Sequence, residues 1–167
     1  MSVVSAAIIA AALAVTAGAT GRLEAAVSTC ATPHLVVWLD TTANGTAGSV
    51  YYHLEFTNLS GHMCSLQGFP GVSAVTLVGK RIGNPASRST TKLRIVRLGQ
   101  GETASVVLRV VDTGNYSDSR CRPAIAAGLR VYPPGDTVSK VISFAFRTCR
   151  RTGVSVLAVS AVRSGAR

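Results

Sequence analysis

Four cysteines and one group of arginines are the residues of this sequence whose types and spacing could support chemistry. The cysteines are Cys30, Cys64, Cys121 and Cys149. None of them belongs to a C-x-x-C pair, so their spacing favours neither a zinc site nor a thioredoxin-like redox motif. An even number of cysteines outside such motifs is typical of a protein that forms disulfides in an oxidising compartment.

The arginines belong to a strong excess of positive charge. Basic side chains outnumber acidic ones by 17 to 7, and the formal net charge is +10. Residues 1–79 carry one basic and three acidic side chains, whereas residues 80–167 carry 16 basic and 4 acidic ones. Five arginines flank the last two cysteines, and we call them the basic end: Arg120, Arg122, Arg147, Arg150 and Arg151. Such a group could bind anionic envelope polymers or lipid headgroups, or it could simply keep a basic surface soluble.

Motifs of nucleophilic, metal or nucleotide chemistry are missing from the sequence. It contains no G-x-S-x-G and no H-E-x-x-H, and His34, His53 and His62 show no metal-ligand spacing. The run G-Q-G-E-T-A at 99–104 matches a dinucleotide pattern, but a strand-like alternation follows where a helix is required. The few carboxylates show no pair spaced for glycoside hydrolysis. We therefore predict no catalytic, cofactor-binding or metal-binding residue and no enzymatic activity.

Short strands must position these residues, because the chain after residue 30 has no sustained helical period. The clearest strand is 50–57, where apolar and polar residues alternate. One face is predicted to be buried and consists of Val50, Tyr52, Leu54 and Phe56. The other is predicted to face outward and consists of Tyr51, His53, Glu55 and Thr57. Asn44-Gly45 indicates a hairpin turn before this strand. Seven further segments have strand character: 35–40, 72–78, 92–98, 103–111, 128–132, 138–146 and 154–162.

Eight strands between clusters of Gly, Pro, Asn and Ser predict an all-β protein. We expect a two-sheet antiparallel immunoglobulin-like sandwich of about eight strands, with a barrel as the alternative. Val106, Leu108 and Ile142 are expected to join the buried face of 50–57 in its core. Because no repeat or long linker interrupts the chain, a single domain is predicted over residues 27–167.

The first 26 residues differ from the rest in composition. Residues 1–19 are apolar, rich in alanine and free of charged side chains. Small residues at 17–19 and 25–26 resemble cleavage sites, so we predict a signal peptide that ends at residue 19 or 26. An uncleaved anchor helix is the alternative, although about 18 apolar residues are barely enough to span a bilayer. The mature protein is then expected to be secreted or extracytoplasmic, without a transmembrane span, envelope-associated and monomeric.

Strand order ranks the possible disulfides. Cys30 comes just before the first strand and Cys64 just after the second, so antiparallel neighbours would bring these two ends together. Cys121 and Cys149 bracket the sixth and seventh strands in the same way. We therefore predict the bonds 30–64 and 121–149, each of which closes a loop of about 30 residues. The pairing 30–149 with 64–121 stays open.

Three longer motifs combine cysteines, turns and strands. They are F-T-N-L-S-G-H-M-C-S-L-Q-G-F-P-G-V at 56–72, G-N-Y-S-D-S-R-C-R-P at 114–123 and G-L-R-V-Y-P-P-G at 128–135. Together with Cys30 and Cys149, they resemble the secreted actinobacterial domain of unknown function 4232 family in order and spacing. The resemblance implies an exported, disulfide-bearing β-sandwich, of a family whose members are often single-domain or lipid-anchored. It carries over no catalytic residue.

These observations favour an exported, non-enzymatic binding or structural module that engages anionic envelope polymers through the basic end. Nucleic acid is not expected as a partner, because export is predicted and aromatic residues do not interleave the basic segments. The alternative is a small secreted enzyme or an enzyme inhibitor. An inhibitor would act through the loop 58–71, with Phe69-Pro70 at its tip.

Overall fold

The computed structural model describes residues 27–90 and 92–167, so the predicted signal peptide over 1–26 lies outside the described residues. These residues form an all-β structure with twelve strands. The strands are β1 (Leu35–Thr46), β2 (Ser49–Asn58), β3 (Cys64–Gln67), β4 (Gly71–Val75), β5 (Arg81–Ile82), β6 (Ser87–Arg88), β7 (Ile95–Leu98), β8 (Thr103–Val111), β9 (Pro123–Tyr132), β10 (Lys140–Cys149), β11 (Leu157–Val159) and β12 (Arg163–Ser164). The helical segments are the 3₁₀ turns Thr32–His34 and Thr113–Asn115 and the single turn α1 (Asp118–Cys121).

The strands form three sheets. The largest has the order β1-β2-β8-β11-β6, with β12 also paired to β8. The second has the order β10-β9-β4-β5, and β3 pairs with β7 in the third. The sheets are antiparallel apart from the pair β11 and β6, which runs parallel.

The core follows from the alternation in β2 and β8. Leu54, Phe56, Val106 and Leu108 are buried, as predicted. The register places Leu54 opposite Val106, so these side chains pack beside each other on one face. The second sheet contributes apolar residues to the same core, namely Val72, Ala74, Ala126, Leu129 and Val131.

Tyr52 and Ile142, which were also expected in the core, are only partly buried and pack against its edge. The ring of Tyr52 meets that of Phe144 edge-on, with centroids 5.0 Å apart. This contact joins the first sheet to the second near the core boundary.

The prediction that Glu55 faces outward is wrong. Its side chain is fully buried, and Oε1 accepts a hydrogen bond from the backbone N–H of Arg167 at 2.8 Å. Glu55 Oε2 and the Nδ1 of partly buried His53 have no hydrogen-bond partner among the described residues. The cause is a later segment: β12 pairs with the start of β8, with Arg163 opposite Ser105, and the residues that follow β12 reach Glu55, as the bond from Arg167 shows. Alternation predicts which residues share a face but not what covers it.

Several boundaries also differ from the predictions. Asn44 and Gly45 lie inside β1, and the hairpin turn falls at 47–48, where Gly48 has φ +76°. Strand β4 ends at Val75, not at 78. Strand β9 begins at Pro123, ahead of the predicted start at 128. Strands β3, β5, β6 and β12 were not predicted, because two to four residues are too few to show a period.

Both predicted disulfides are present. Cys30 is bonded to Cys64 and Cys121 to Cys149, with Cα–Cα distances of 4.9 and 4.7 Å. Two such bonds indicate a protein that folds in an oxidising compartment. Every helical segment in the described ranges is a single short turn, and none reaches the length needed to cross a bilayer.

Candidate anion-binding site

The Cys121–Cys149 bond joins the segment before β9 to the end of β10. Two backbone hydrogen bonds reinforce this junction. The N–H of Arg150 donates to the carbonyl of Arg122 at 3.1 Å, and the N–H of Arg151 donates to the carbonyl of Cys121 at 3.2 Å. Arginines that are far apart in sequence therefore face each other at one end of the molecule.

An open cavity of about 550 Å³ lies at this junction, and we call it the arginine cavity. Its lining consists of Ser119, Arg120, Arg122, Arg150, Arg151, Thr152, Gly153 and Val154. The four arginines are exposed to solvent, and no acidic side chain contributes to this lining. A guanidinium group offers five N–H donors in a planar fork and accepts none, so it pairs well with phosphate or carboxylate oxygens. The arrangement of four guanidinium groups without a carboxylate is therefore suited to binding an anion.

Arg122 has an unusual backbone. Its φ of +49° is the one positive value outside glycine in the described residues, and it directly follows α1. Its N–H donates to the carbonyl of Asp118 at 2.8 Å and closes that turn. Glycine is the usual residue at this position, because a side chain in the left-handed region costs roughly 1 kcal/mol. Here the left-handed residue is an arginine that both closes the turn and lines the arginine cavity.

Arg147 is the one member of the basic end that the arginine cavity does not include. It lies on β10 opposite Ile125 and lines a separate cavity of about 320 Å³ beside the β1–β2 hairpin. The structure thus brings four of the five predicted arginines together.

The structure contains a second basic cavity that the sequence did not predict. It has a volume of about 610 Å³, and its cations are Lys92, Arg94, Arg97, Arg163 and Arg167. The crowding of charge at 92–97 is visible in the sequence, but its meeting with 163–167 depends on the pairing of β12 with β8, for which the sequence offers no signal. The two cavities share no lining residue.

Other predicted features lie elsewhere. Phe69 is partly buried beneath the guanidinium of Arg88, which is 5.8 Å from the ring centroid, and Pro70 is buried. These residues therefore do not form an exposed loop tip. Within residues 27–90 and 92–167, no group of three or more His, Cys, Asp or Glu side chains converges as a metal site would require.

A family model described as Domain of unknown function (DUF4232) matches residues 30–163. The chain belongs to this family. Both disulfides and all four arginines of the arginine cavity lie within this DUF4232 domain, whereas Arg167 of the second basic cavity lies outside it. No curated protein and no solved structure matches the chain.

Proposed function

We propose that this protein is an exported, non-enzymatic module that binds anionic polymers of the cell envelope through the basic end. Four arginines converge on one open cavity whose lining contains no carboxylate, and this observation carries the proposal. The signal-like composition of residues 1–26 and the two disulfides support export.

The fold suits a rigid binding module. We interpret the two larger sheets, which share one hydrophobic core, as an immunoglobulin-like two-sheet sandwich that acts as a monomer. Such a scaffold holds the backbone at the four arginine positions in a fixed arrangement, so that binding an anion requires ordering of the arginine side chains and not of the fold.

Repeating phosphates or carboxylates on a polymer would meet several guanidinium groups at once. Because the arginines are exposed, their attraction is screened as the Debye length falls from about 10 Å at 0.1 M salt to about 3 Å at 1 M. Binding to the polymer should therefore weaken steeply with added salt.

The test compares two charge-reversal variants with the same change in net charge. Arg150→Glu with Arg151→Glu alters the arginine cavity, and Arg88→Glu with Lys92→Glu alters a basic region elsewhere. The affinity for soluble poly(glycerol phosphate) is measured at low and high salt. We expect the first variant to bind about 10-fold more weakly than the parent and the second to bind nearly as well.

Two outcomes would overturn the proposal. Binding that is insensitive to salt would exclude exposed arginines as its source. Equal behaviour of both variants and the parent would show that the basic end is only a solvated surface.

A further inference from the structure

The turn between β4 and β5 carries two adjacent aliphatic side chains that are almost completely exposed. Leu77 is 94% and Val78 is 89% exposed, more than any other large apolar residue described. We call this pair the aliphatic tip. A single exposed aliphatic residue is ordinary on a protein surface, but two adjacent ones in the same turn are unusual.

The aliphatic tip is held outward by its own turn. The N–H of Gly79 donates to the carbonyl of Thr76 at 2.9 Å, and the N–H of Lys80 donates to Thr76 Oγ1 at 3.1 Å. Arg130 Nη2 donates to the carbonyl of Gly79 at 2.8 Å and ties the turn to β9. These bonds hold the backbone of the turn in the conformation that leaves both side chains exposed.

The aliphatic tip lies at the same end of the second sheet as the basic end. Strand β4 runs antiparallel to β9, with Val75 opposite Gly128, so its last residues point toward the end where β9 begins. That end carries the Cys121–Cys149 bond. The segment after β5 contacts the wall of the arginine cavity, where Asn84 Nδ2 donates to the carbonyl of Thr152.

Cations surround the tip. Lys80 and Arg81 follow it after Gly79 and are exposed, and Arg130 is bonded to Gly79. An apolar apex within a cationic rim matches an anionic bilayer, because aliphatic groups reach the acyl boundary while cations remain among the headgroups. A soluble polyanion would leave the apex in water. We propose that Leu77 and Val78 insert into an anionic lipid surface; this rests on the proposed function, which supplies the electrostatic attraction.

Burial of the two side chains should contribute measurably to membrane affinity. Replacing both with serine removes two aliphatic groups from the acyl boundary, which for partial insertion corresponds to a loss of about 10- to 100-fold. Since the turn is closed by main-chain groups and Thr76, the variant Leu77→Ser with Val78→Ser should fold like the parent.

The experiment places a fluorescent reporter at the tip. The chain contains one tryptophan, Trp38, so Trp38→Phe supplies a silent background. In that background, Leu77→Trp reports on the tip. Val138→Trp serves as the matched control, because it lies between β9 and β10 at the opposite end of the sheet. Quenching by brominated acyl chains is measured with vesicles of phosphatidylcholine alone or mixed with phosphatidylglycerol.

We expect quenching at position 77 with the mixed vesicles only, no quenching at 138, and weaker vesicle binding by the double serine variant. Absence of quenching at 77, or equal quenching in both kinds of vesicle, overturns the inference. So does self-association that the serine variant abolishes without any quenching, since the tip would then bind a second copy. If the inference is overturned but the protein still binds poly(glycerol phosphate), the proposed function stands. If the protein binds neither the polymer nor the vesicles, the inference and the proposed function are both overturned.

Discussion

Asp136 shows how one carboxylate can hold distant segments together. It accepts hydrogen bonds from the N–H of Val138 at 3.0 Å and from the N–H and hydroxyl of Thr32, each at 2.8 Å. The N–H of Thr137 also donates to it, at 2.6 Å. These donors, led by Val138, stabilise the ionised form and lower the pKa of Asp136 to about 2. The N-terminal turn is thereby fixed to the β9–β10 connection.

Replacing this carboxylate should lower stability in a pH-dependent way. The pKa is lower in the folded protein than the value of about 3.9 expected in an unfolded chain. The stabilisation is therefore complete above about pH 5, falls as the pH drops through the two pKa values, and disappears toward about pH 1. We expect Asp136→Asn to have a lower Tm than the parent at pH 7, and the difference in Tm to shrink steadily below about pH 4 and to vanish toward about pH 1, measured by thermal melts across this range. Asp118→Asn, at an exposed carboxylate, should show no such convergence; a parallel pH dependence in both variants would contradict this role for Asp136.

A substitution at Arg122 should change polymer binding while leaving the stability of the fold nearly unchanged. Glycine adopts φ +49° without steric penalty, so Arg122→Gly relieves strain while it removes one guanidinium from the arginine cavity. The gain is partly offset by the greater freedom of glycine in the unfolded chain. We expect stability within about 1 kcal/mol of the parent and several-fold weaker binding to poly(glycerol phosphate). Denaturant melts and polymer titrations measure the two effects, and a large loss of stability would show that Arg122 is mainly structural.

The two disulfides close loops of similar length, but their removal should affect polymer binding differently. They close segments of 34 and 28 residues, so each should contribute about 3–4 kcal/mol by the chain-entropy model. Of the two disulfides, only Cys121–Cys149 lies at the junction that brings Arg120 and Arg122 close to Arg150 and Arg151. Replacing either pair with serine should therefore lower the Tm to a similar extent, but polymer binding should weaken only in the 121–149 variant. Equal loss of binding in both variants would contradict this division.

Strands were predictable where burial is periodic. In β2 and β8, strict alternation correctly identified Leu54, Phe56, Val106 and Leu108 as core residues. It failed at Glu55, because β12 lies more than a hundred residues away and no local pattern indicates where it pairs. The hairpin turn was misplaced for a related reason, since Asn44-Gly45 is a turn signal that the longer pairing of β1 with β2 overrides.

At the scale of the whole molecule, the sequence predicted the positive charge of the candidate site but not which residues would line its cavity. The excess of arginine after residue 80 and the disulfide pairing predicted one basic end. The sequence did not predict that Arg147 would lie outside the cavity or that a second basic cavity would form, because both depend on how distant segments meet.

The position of β8 in the largest sheet fixes the order in which this chain can acquire structure during synthesis. β8 pairs with β2, which precedes it, and with β11 and β12, which follow it. The hairpin of β1 and β2 has no sheet to join until residue 111 has been made, and β8 keeps an open edge until residues 157–164 are available. A two-stranded hairpin alone is at best marginally stable in water. The central sheet is therefore absent until at least residue 111 of 167 has been made, and until then the hairpin of β1 and β2 lacks the neighbouring strand that would stabilise it.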